Sequence, residues 1–403
     1  MRRFVAQQRT YLATGLAVVA GTHTLTQVFT QVHTTLFPIL QEEFSLSLHQ
    51  LGLVAAVPAL SQAVFSIPTG HLSDVLGSRT MLLVSMVTAA SGCLLASQSA
   101  SAAALIVAVS LVYINTTTFR PAGYRLVNHL FDARDRLGAL GIYGAGGTLG
   151  VAVGPLSIAV LVGALGWGWR QVYLFWLIPI LVGIIALARA DFGTEKEYQG
   201  HPRGPAAEQE GVGNSLWTLS AVLFLGYLAM RVMANSMSRS FMSLYLVDLR
   251  GLSHSRASLY IAGNVAVGVV AAPLGGMLAT GVRRKEWLAT VLAVGYVCLA
   301  LAVLIPNNAV FLVLYLAHGF CRFLGFSALT AMMADLSPAG HQGLGYAWFF
   351  LPSAVGGVVA PVLGASIAEG LGLTGVMVVS VGILFSSLVV LILGVRPEVQ
   401  AGY

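Results

Sequence analysis

The chain has 403 residues, of which 57% are hydrophobic and only 9% charged, with 21 Lys and Arg against 15 Asp and Glu and a net charge of +6. That leaves too little polar surface to solvate a water-soluble globule of this length, so the composition points to a polytopic membrane protein. The basic balance by itself would suit a polyanionic partner. The placement of the bases instead argues for membrane topology and against nucleic acid.

A bilayer-crossing helix needs roughly 20 mostly apolar residues. Taken in chain order, such segments fall near residues 11–40, 50–70, 80–98, 102–126, 138–163 and 170–189, then 215–247, 256–280, 286–305, 309–334, 343–368 and 372–394. Twelve spans therefore carry most of the chain. The basic, nine-residue start from Met1 to Arg9 leads into a segment too long for the apolar region of a cleavable signal, so the first helix is expected to stay. With both termini cytoplasmic, 14 of the 21 basic residues lie inside, and only Arg170, Arg250 and Arg256 lie in outer loops. Arg120, Arg231, Arg239 and Arg322 lie within spans. This is the positive-inside distribution of an inner (plasma) membrane protein. Cys93, Cys298 and Cys321 are odd in number and all intramembrane, so neither a disulfide framework nor a metal cluster is expected.

The longest polar stretch, residues 191–214, reads as a cytoplasmic linker between an N-terminal half, 1–190, and a C-terminal half, 215–403. The halves resemble each other at an offset of about 206 residues. Gly150, Gly154 and Pro155 in the fifth span answer to Gly356, Ala360 and Pro361 in the eleventh. FSLSLHQLGL, after the first span, answers to RGLSHSRASL after the seventh. Gly70 and Arg79 map near Gly275 and Arg284 at an offset of about 205.

Between the second and third spans lies GHLSDVLGSR, Gly70 to Arg79, which resembles the loop signature of the major facilitator superfamily. DARDRLGALG, Asp132 to Gly141, is similar to that family's charged loop between helices four and five. GVAVGPLSIA, Gly150 to Ala159, is similar to its fifth-helix antiporter motif, without the terminal Gly pair, and makes Gly150, Gly154 and Pro155 a helix-packing motif. Within the superfamily, His23, Pro38 and LQEEFSLSLHQLG, Leu40 to Gly52, resemble the fosmidomycin-resistance-type exporters. Gln27 stands where that group carries Asp, and Phe119-Arg120-Pro121 stands where it carries Phe-His-Pro. The resemblance implies an all-α membrane protein with twelve transmembrane helices in two six-helix, pseudo-symmetric halves. It also implies a gating role for Asp74, paired with Arg134 or Arg136, with Gly70, Gly77 and Arg79 shaping the loop.

An Arg at mid-membrane costs roughly 2.5–3.5 kcal/mol even on the lenient insertion scale, so the four intramembrane arginines call for a wet cavity or a partner. Arg231, Asn235 and Arg239 recur every four residues along one helix face, as do His23, Gln27 and Gln31. Because the repeat relates the two helices, the two stripes are expected to face each other across a central cavity, with Asn115, Arg120, His318 and Arg322 expected to complete its wall. No carboxylate sits clearly mid-membrane: Glu42, Glu43, Asp248 and Glu369 lie at outer ends and Asp335 at an inner end. Guanidinium without an intramembrane counter-ion favours an anionic substrate. His23, His33 and His318 are left as the side chains suited to carry protons.

The expectation is a secondary transporter, not an enzyme, for want of a nucleophile with its base or a metal cluster. It would export a small anionic or amphiphilic molecule, an antibiotic or metabolite, by efflux, with proton antiport as the coupling. The alternative is a facilitator or importer of a small organic anion on the same fold. Its partners are that small molecule, protons and the lipid bilayer; a monomer without cofactor, metal or nucleic acid is expected.

Overall fold

The computed structural model describes residues 2–131, 135–192, 218–279, 283–336 and 342–395. Among these the secondary structure is helical throughout, and strands are absent. The first half runs α1 (Arg2–Thr35), a short α2 (Phe37–Phe44), α3 (Leu48–Leu76), α4 (Ser78–Ser97), α5 (Ala102–Leu130), α6 (Arg136–Ile158) and α7 (Trp169–Arg189). The second runs α8 (Leu219–Leu244), α9 (His254–Ala266), α10 (Gly268–Leu278), α11 (Arg284–Leu304), α12 (Asn308–Leu324), α13 (Phe326–Asp335) and α14 (Gln342–Val389). The eighth span is the broken pair α9–α10, and the tenth is α12–α13.

Ten runs among the described residues are long and apolar enough to cross a bilayer. The last of them, Val355–Gly394, is two spans in one, because α14 turns at Gly372 with φ 72° and ψ 175°. The remaining span is α1, which His23, Gln27, Gln31 and its threonines make too polar to join the ten.

The internal repeat reaches the backbone. Ser45 and Gly251 are related by the offset of about 206 residues, and both adopt positive φ, 51° and 64°. Two residues on, Ser47 accepts from the Gln50 N–H in a capping box and Ser253 accepts from the Arg256 N–H. Such a cap contributes about 1 kcal/mol to helix stability. Ser101 caps α5 through Ala104, and its counterpart Asn307 caps α12 through Ala309 and Val310. Gly166, ahead of α7, has φ 69°, matching Gly372.

At the opposite end the register corrects the sequence alignment. Arg79 donates to the Ala188 carbonyl at the close of α7, whereas the residue that treats the last turns after α14 in this way is Lys285, through the Ile392 and Val395 carbonyls. Arg284, the expected partner of Arg79, pairs with Asp335 instead. A cation over the unsatisfied carbonyls at a helix end explains both contacts.

The contacts divide the chain into two units: Met1–Pro202 with Leu252–Ala262, and Arg203–Gly251 with Gly263–Tyr403. In the first, α1 packs on α6, α3 and α4 pack on α5, and α4 on α7. In the second, α8 packs on α14, α10 and α11 pack on α12, and α11 on α14, which repeats the pattern. The α1–α6 seam depends on missing side chains. A Cβ at Gly150 would stand 2.2 Å from the Thr24 carbonyl oxygen, and one at Gly154 would stand 2.2 Å from that of Val28. Backbone cannot yield at such distances, so only glycine brings the two helices this close.

Candidate functional site

Among the described residues, each unit brings together a cluster of polar side chains that includes a buried histidine. In the first, α1 supplies His23 and Gln27, one turn apart and both buried; α5 supplies the exposed Arg120 and α6 supplies Tyr143. Three hydrogen bonds connect them. His23 Nδ1 lies 2.9 Å from the Tyr143 carbonyl oxygen, His23 Nε2 lies 3.2 Å from Gln27 Nε2, and an Arg120 Nη donates to Gln27 Oε1 at 3.0 Å. The imidazole stacks on Tyr143, with centroids 4.1 Å apart, and on Phe119 at 5.8 Å, while Tyr124 meets Tyr143 edge-on. Gly147 makes room for the ring: a Cβ there would come within 2.5 Å of His23 Cε1.

The donors in this chain run one way. A carbonyl only accepts, so His23 Nδ1 carries a hydrogen and the neutral ring offers Nε2 as acceptor. Arg120 only donates, so Gln27 Oε1 must face it, which turns the amide N–H toward His23. The Nδ1–H tautomer of neutral His23 satisfies every contact at once.

The second cluster is cationic. Along α8 the turns carry Tyr227, Arg231, Asn235 and Arg239; along α12 they carry Tyr315, His318 and Arg322. Arg231 lies against the Tyr227 and Tyr296 phenols. Arg322 interacts electrostatically with Arg231, Arg239, Tyr315 and Tyr296, and its guanidinium sits 4.6 Å over the Phe323 ring. The Nε groups of Arg231 and Arg322 are buried without a hydrogen-bond partner. The ion pairs Arg283–Glu286 and Arg284–Asp335 of this half are exposed and lie apart from the cluster. His318 is buried with Nδ1 3.1 Å from the Gly295 carbonyl oxygen, which likewise makes Nδ1 the donor. Packing like charges together is costly unless an anion offsets it, and a carboxylate, phosphonate or similar oxyanion matches guanidinium geometry.

Other residues expected at a site have different surroundings. Asn115 is buried between α4 and α5, where its amide donates to the Ser85 carbonyl at 2.7 Å and the Ser85 hydroxyl at 2.9 Å; it joins helices. Asn235 folds back onto its own helix, donating to the Arg231 carbonyl at 2.7 Å. Gln31 is buried one turn beyond Gln27. His33 is held against the Phe37 and Tyr113 rings. Gly77 adopts φ 80° at the turn from α3 into α4. Gly70 lies within α3, as does Asp74, whose side chain is outside the described structure, as is that of Arg136 at the start of α6; Arg134 lies outside the described residues. Pro155 is inside α6, next to Gly154.

Sequence reasoning missed the tyrosines. Tyr227 shares the four-residue spacing of Arg231, and Tyr315 the face of Arg322, so both were readable as parts of their stripes. Tyr143 and Tyr296 come from other helices and carry no motif.

With this architecture in view, the comparisons agree. The family model described as Major Facilitator Superfamily matches residues 19–234 and 219–402. The chain belongs to the major facilitator superfamily. It is 24% identical over 353 residues to the fosmidomycin resistance protein of Escherichia coli (strain K12), covering 87% of this chain and 85% of that protein. It is 28% identical over 240 residues to the nitrite extrusion protein of Bacillus subtilis (strain 168), covering 59% and 58%, and 25% identical over 388 residues to that organism's hexuronate transporter, covering 89% of each. Among solved structures, a bacterial homolog of the human lysosomal transporter Spinster, inward-facing and occupied, superposes with a TM-score of 0.78 at 18% identity and covers 98% of each chain. That likeness establishes the fold. A member of this superfamily is a multi-pass membrane transporter of small molecules.

Proposed function

We propose that this member transports a small organic anion, with export as the direction the resemblance implies and entry on the same fold as the alternative. The observation that carries the reading is the pair Arg231 and Arg322, half-buried, mutually repelling, and each with a buried Nε that lacks a protein acceptor. An oxyanion would supply both acceptors and cancel the repulsion. Within the same unit Arg239 and His318 add donors to this cluster, and in the other unit Arg120, Gln27 and His23 form a separate donor set. The names of the relatives support the substrate class: fosmidomycin, nitrite and hexuronates are all anions, and two of the three proteins are named for resistance or extrusion. The hexuronate relative supports a second reading, entry of a small organic anion by the same fold.

In this reading both termini are cytoplasmic, in a bacterial inner membrane, and residues 191–214 join the halves 1–190 and 215–403. Asp74, near the end of α3, with Arg134 or Arg136 latches one transport state, while Gly77 shapes the turn into α4; protons couple through His23 or His318. The test is equilibrium binding of a panel of phosphonates, carboxylates, nitrite and their neutral analogues to purified protein. Arg231→Gln and Arg120→Gln should weaken the anions more than the neutral analogues. Equal losses for both would make these arginines structural and remove the anionic reading.

A further inference from the structure

The first cluster has a property that follows from donors and acceptors alone. Arg120, Gln27 and His23 form a chain in which each member's bonding face is dictated by the last. Adding a proton to His23 makes Nε2 a donor, and it then confronts the Gln27 amide N–H, also a donor. The conflict is removed by turning the amide over, so that Gln27 Oε1 accepts from the imidazolium. Gln27 then presents its N–H to Arg120, which has only donors, and the Arg120–Gln27 bond is lost. A proton on His23 and a hydrogen bond from Arg120 to Gln27 exclude each other.

We infer that the Gln27 amide is the element that couples protons to substrate: protonation of His23 turns it over and frees the Arg120 guanidinium for an anion. The inference rests on the anionic reading above. The proton enters at His23 Nε2; no covalent bond other than this N–H forms, and Nδ1 keeps its bond to the Tyr143 carbonyl. The elements packed on His23 place few titratable or charged groups against it. From α5 comes Arg120; from α6 comes Tyr143, with Tyr124 of α5 behind it; α7 brings Gly183 against the neighbouring Thr22 and Leu25. These groups offer the imidazolium no carboxylate, which leaves Gln27 Oε1 to accept from it. The released guanidinium and the new charge both attract an anion, so the linkage is positive, and by reciprocity anion binding takes up a proton. A proton and an anion that favour each other's binding travel together, so the sign of this linkage discriminates proton-driven entry from the proton antiport expected from the sequence.

The test has two parts. Hexuronate binding to the detergent-solubilised full chain is measured from about pH 5.5 to 8, where a carboxylate's own charge is constant. Affinity should rise toward the acid end by roughly 5- to 150-fold, the usual range for coupled sites, with a proton taken up from weak buffer on binding. Gln27→Met, close in shape but without the amide, should flatten that dependence while keeping the thermal unfolding midpoint. Pronounced pH dependence that survives in Gln27→Met, proton release on binding, or affinity independent of pH in the unaltered protein would each overturn the inference.

The second part needs no anion and no variant. In 15N spectra of selectively labelled protein, neutral His23 should show the Nδ1–H tautomer, and the Gln27 side-chain amide should shift with the same midpoint as the imidazole. An Nε2–H tautomer, or a Gln27 amide that stays silent while His23 titrates, would overturn the relay. Should no anion bind at any pH while the two resonances titrate together, the failure belongs to the anionic reading and the relay stands.

Discussion

The two halves share a backbone plan and bury different chemistry on it. Their turns, caps and helix-end cations coincide at a single offset: Ser45 with Gly251, Ser47 with Ser253, Ser101 with Asn307, Gly166 with Gly372 and Arg79 with Lys285. The polar clusters obey no such register. The first half satisfies a single guanidinium through a neutral relay that ends on a backbone carbonyl, whereas the second packs guanidiniums beside phenols and leaves two Nε groups without acceptors. Duplication thus explains the scaffold, and the sites were written onto it separately, one a relay of neutral side chains ending on Arg120 and the other a group of guanidiniums beside phenols.

If that contrast is right, substitutions in the clusters should act unequally and those in the scaffold should act by local geometry. The largest effect is expected in the cationic cluster. Arg322→Met should lower anion affinity by about 10- to 100-fold, the loss of one charge-assisted contact of roughly 1.5–3 kcal/mol. It should also leave ligand-free stability unchanged or raised, because a like-charge contact is relieved. A marked drop in ligand-free thermal stability would show that Arg322 holds the second half together, and the contrast between the clusters would fail.

A scaffold comparison comes next. Gly150→Leu should destabilise the first half by about 1–3 kcal/mol or more, since its Cβ would meet the Thr24 carbonyl. At Gly356 the nearest atom is Val232 Cγ1, 2.8 Å from an added Cβ, and a side chain can turn aside. Gly356→Ala should therefore cost less than Gly150→Ala in a denaturation series, and the reverse order would refute the seam.

Smaller still is the turn at Ser45, the non-glycine residue with positive φ among the described residues. Ser45→Gly, which installs the residue used at 251, should stabilise by roughly 0.5–1 kcal/mol. A loss of stability would mean that the Ser45 side chain outweighs its backbone strain.

The smallest effect is a pH dependence at the end read as outer, beyond the spans. Partial burial alone would raise the Glu43 carboxyl, but hydrogen bonds from the Trp169 indole and the Arg170 guanidinium hold it below the usual carboxylate range. Its stabilising contribution is complete above the ordinary carboxylate pKa and is lost as the pH falls through the lowered value. Glu43→Gln should make the acid limb of the stability–pH curve shallower, and an unchanged limb would assign acid lability elsewhere.

Much of the scaffold was legible in the chain, because hydrophobic runs, caps and close-packing glycines act locally and recur. Gly150 and Gly154 were readable as a packing motif for that reason. The pairing of Arg79 was not, since Arg283, Arg284 and Lys285 form a run of three cations and only the helix end they approach selects Lys285. Within the clusters, the stripes Arg231–Asn235–Arg239 and His23–Gln27–Gln31 followed from helical spacing, but their directions of bonding did not. Asn115 sits at a seam because Ser85, thirty residues earlier, happens to face it. The relay from Arg120 ends on the carbonyl of Tyr143, a group every residue possesses, and Tyr296 reaches Arg231 from a helix far along the chain; neither leaves a pattern in sequence.

The most direct measurement is transport in proteoliposomes holding a pH-sensitive dye, with a panel of phosphonates, hexuronates, nitrite and cationic drugs added outside and protein-free vesicles as control. Small anions should enter and move protons with them, and the Arg231→Gln protein should be silent. Movement of the cationic drugs with the anions inert would contradict the account.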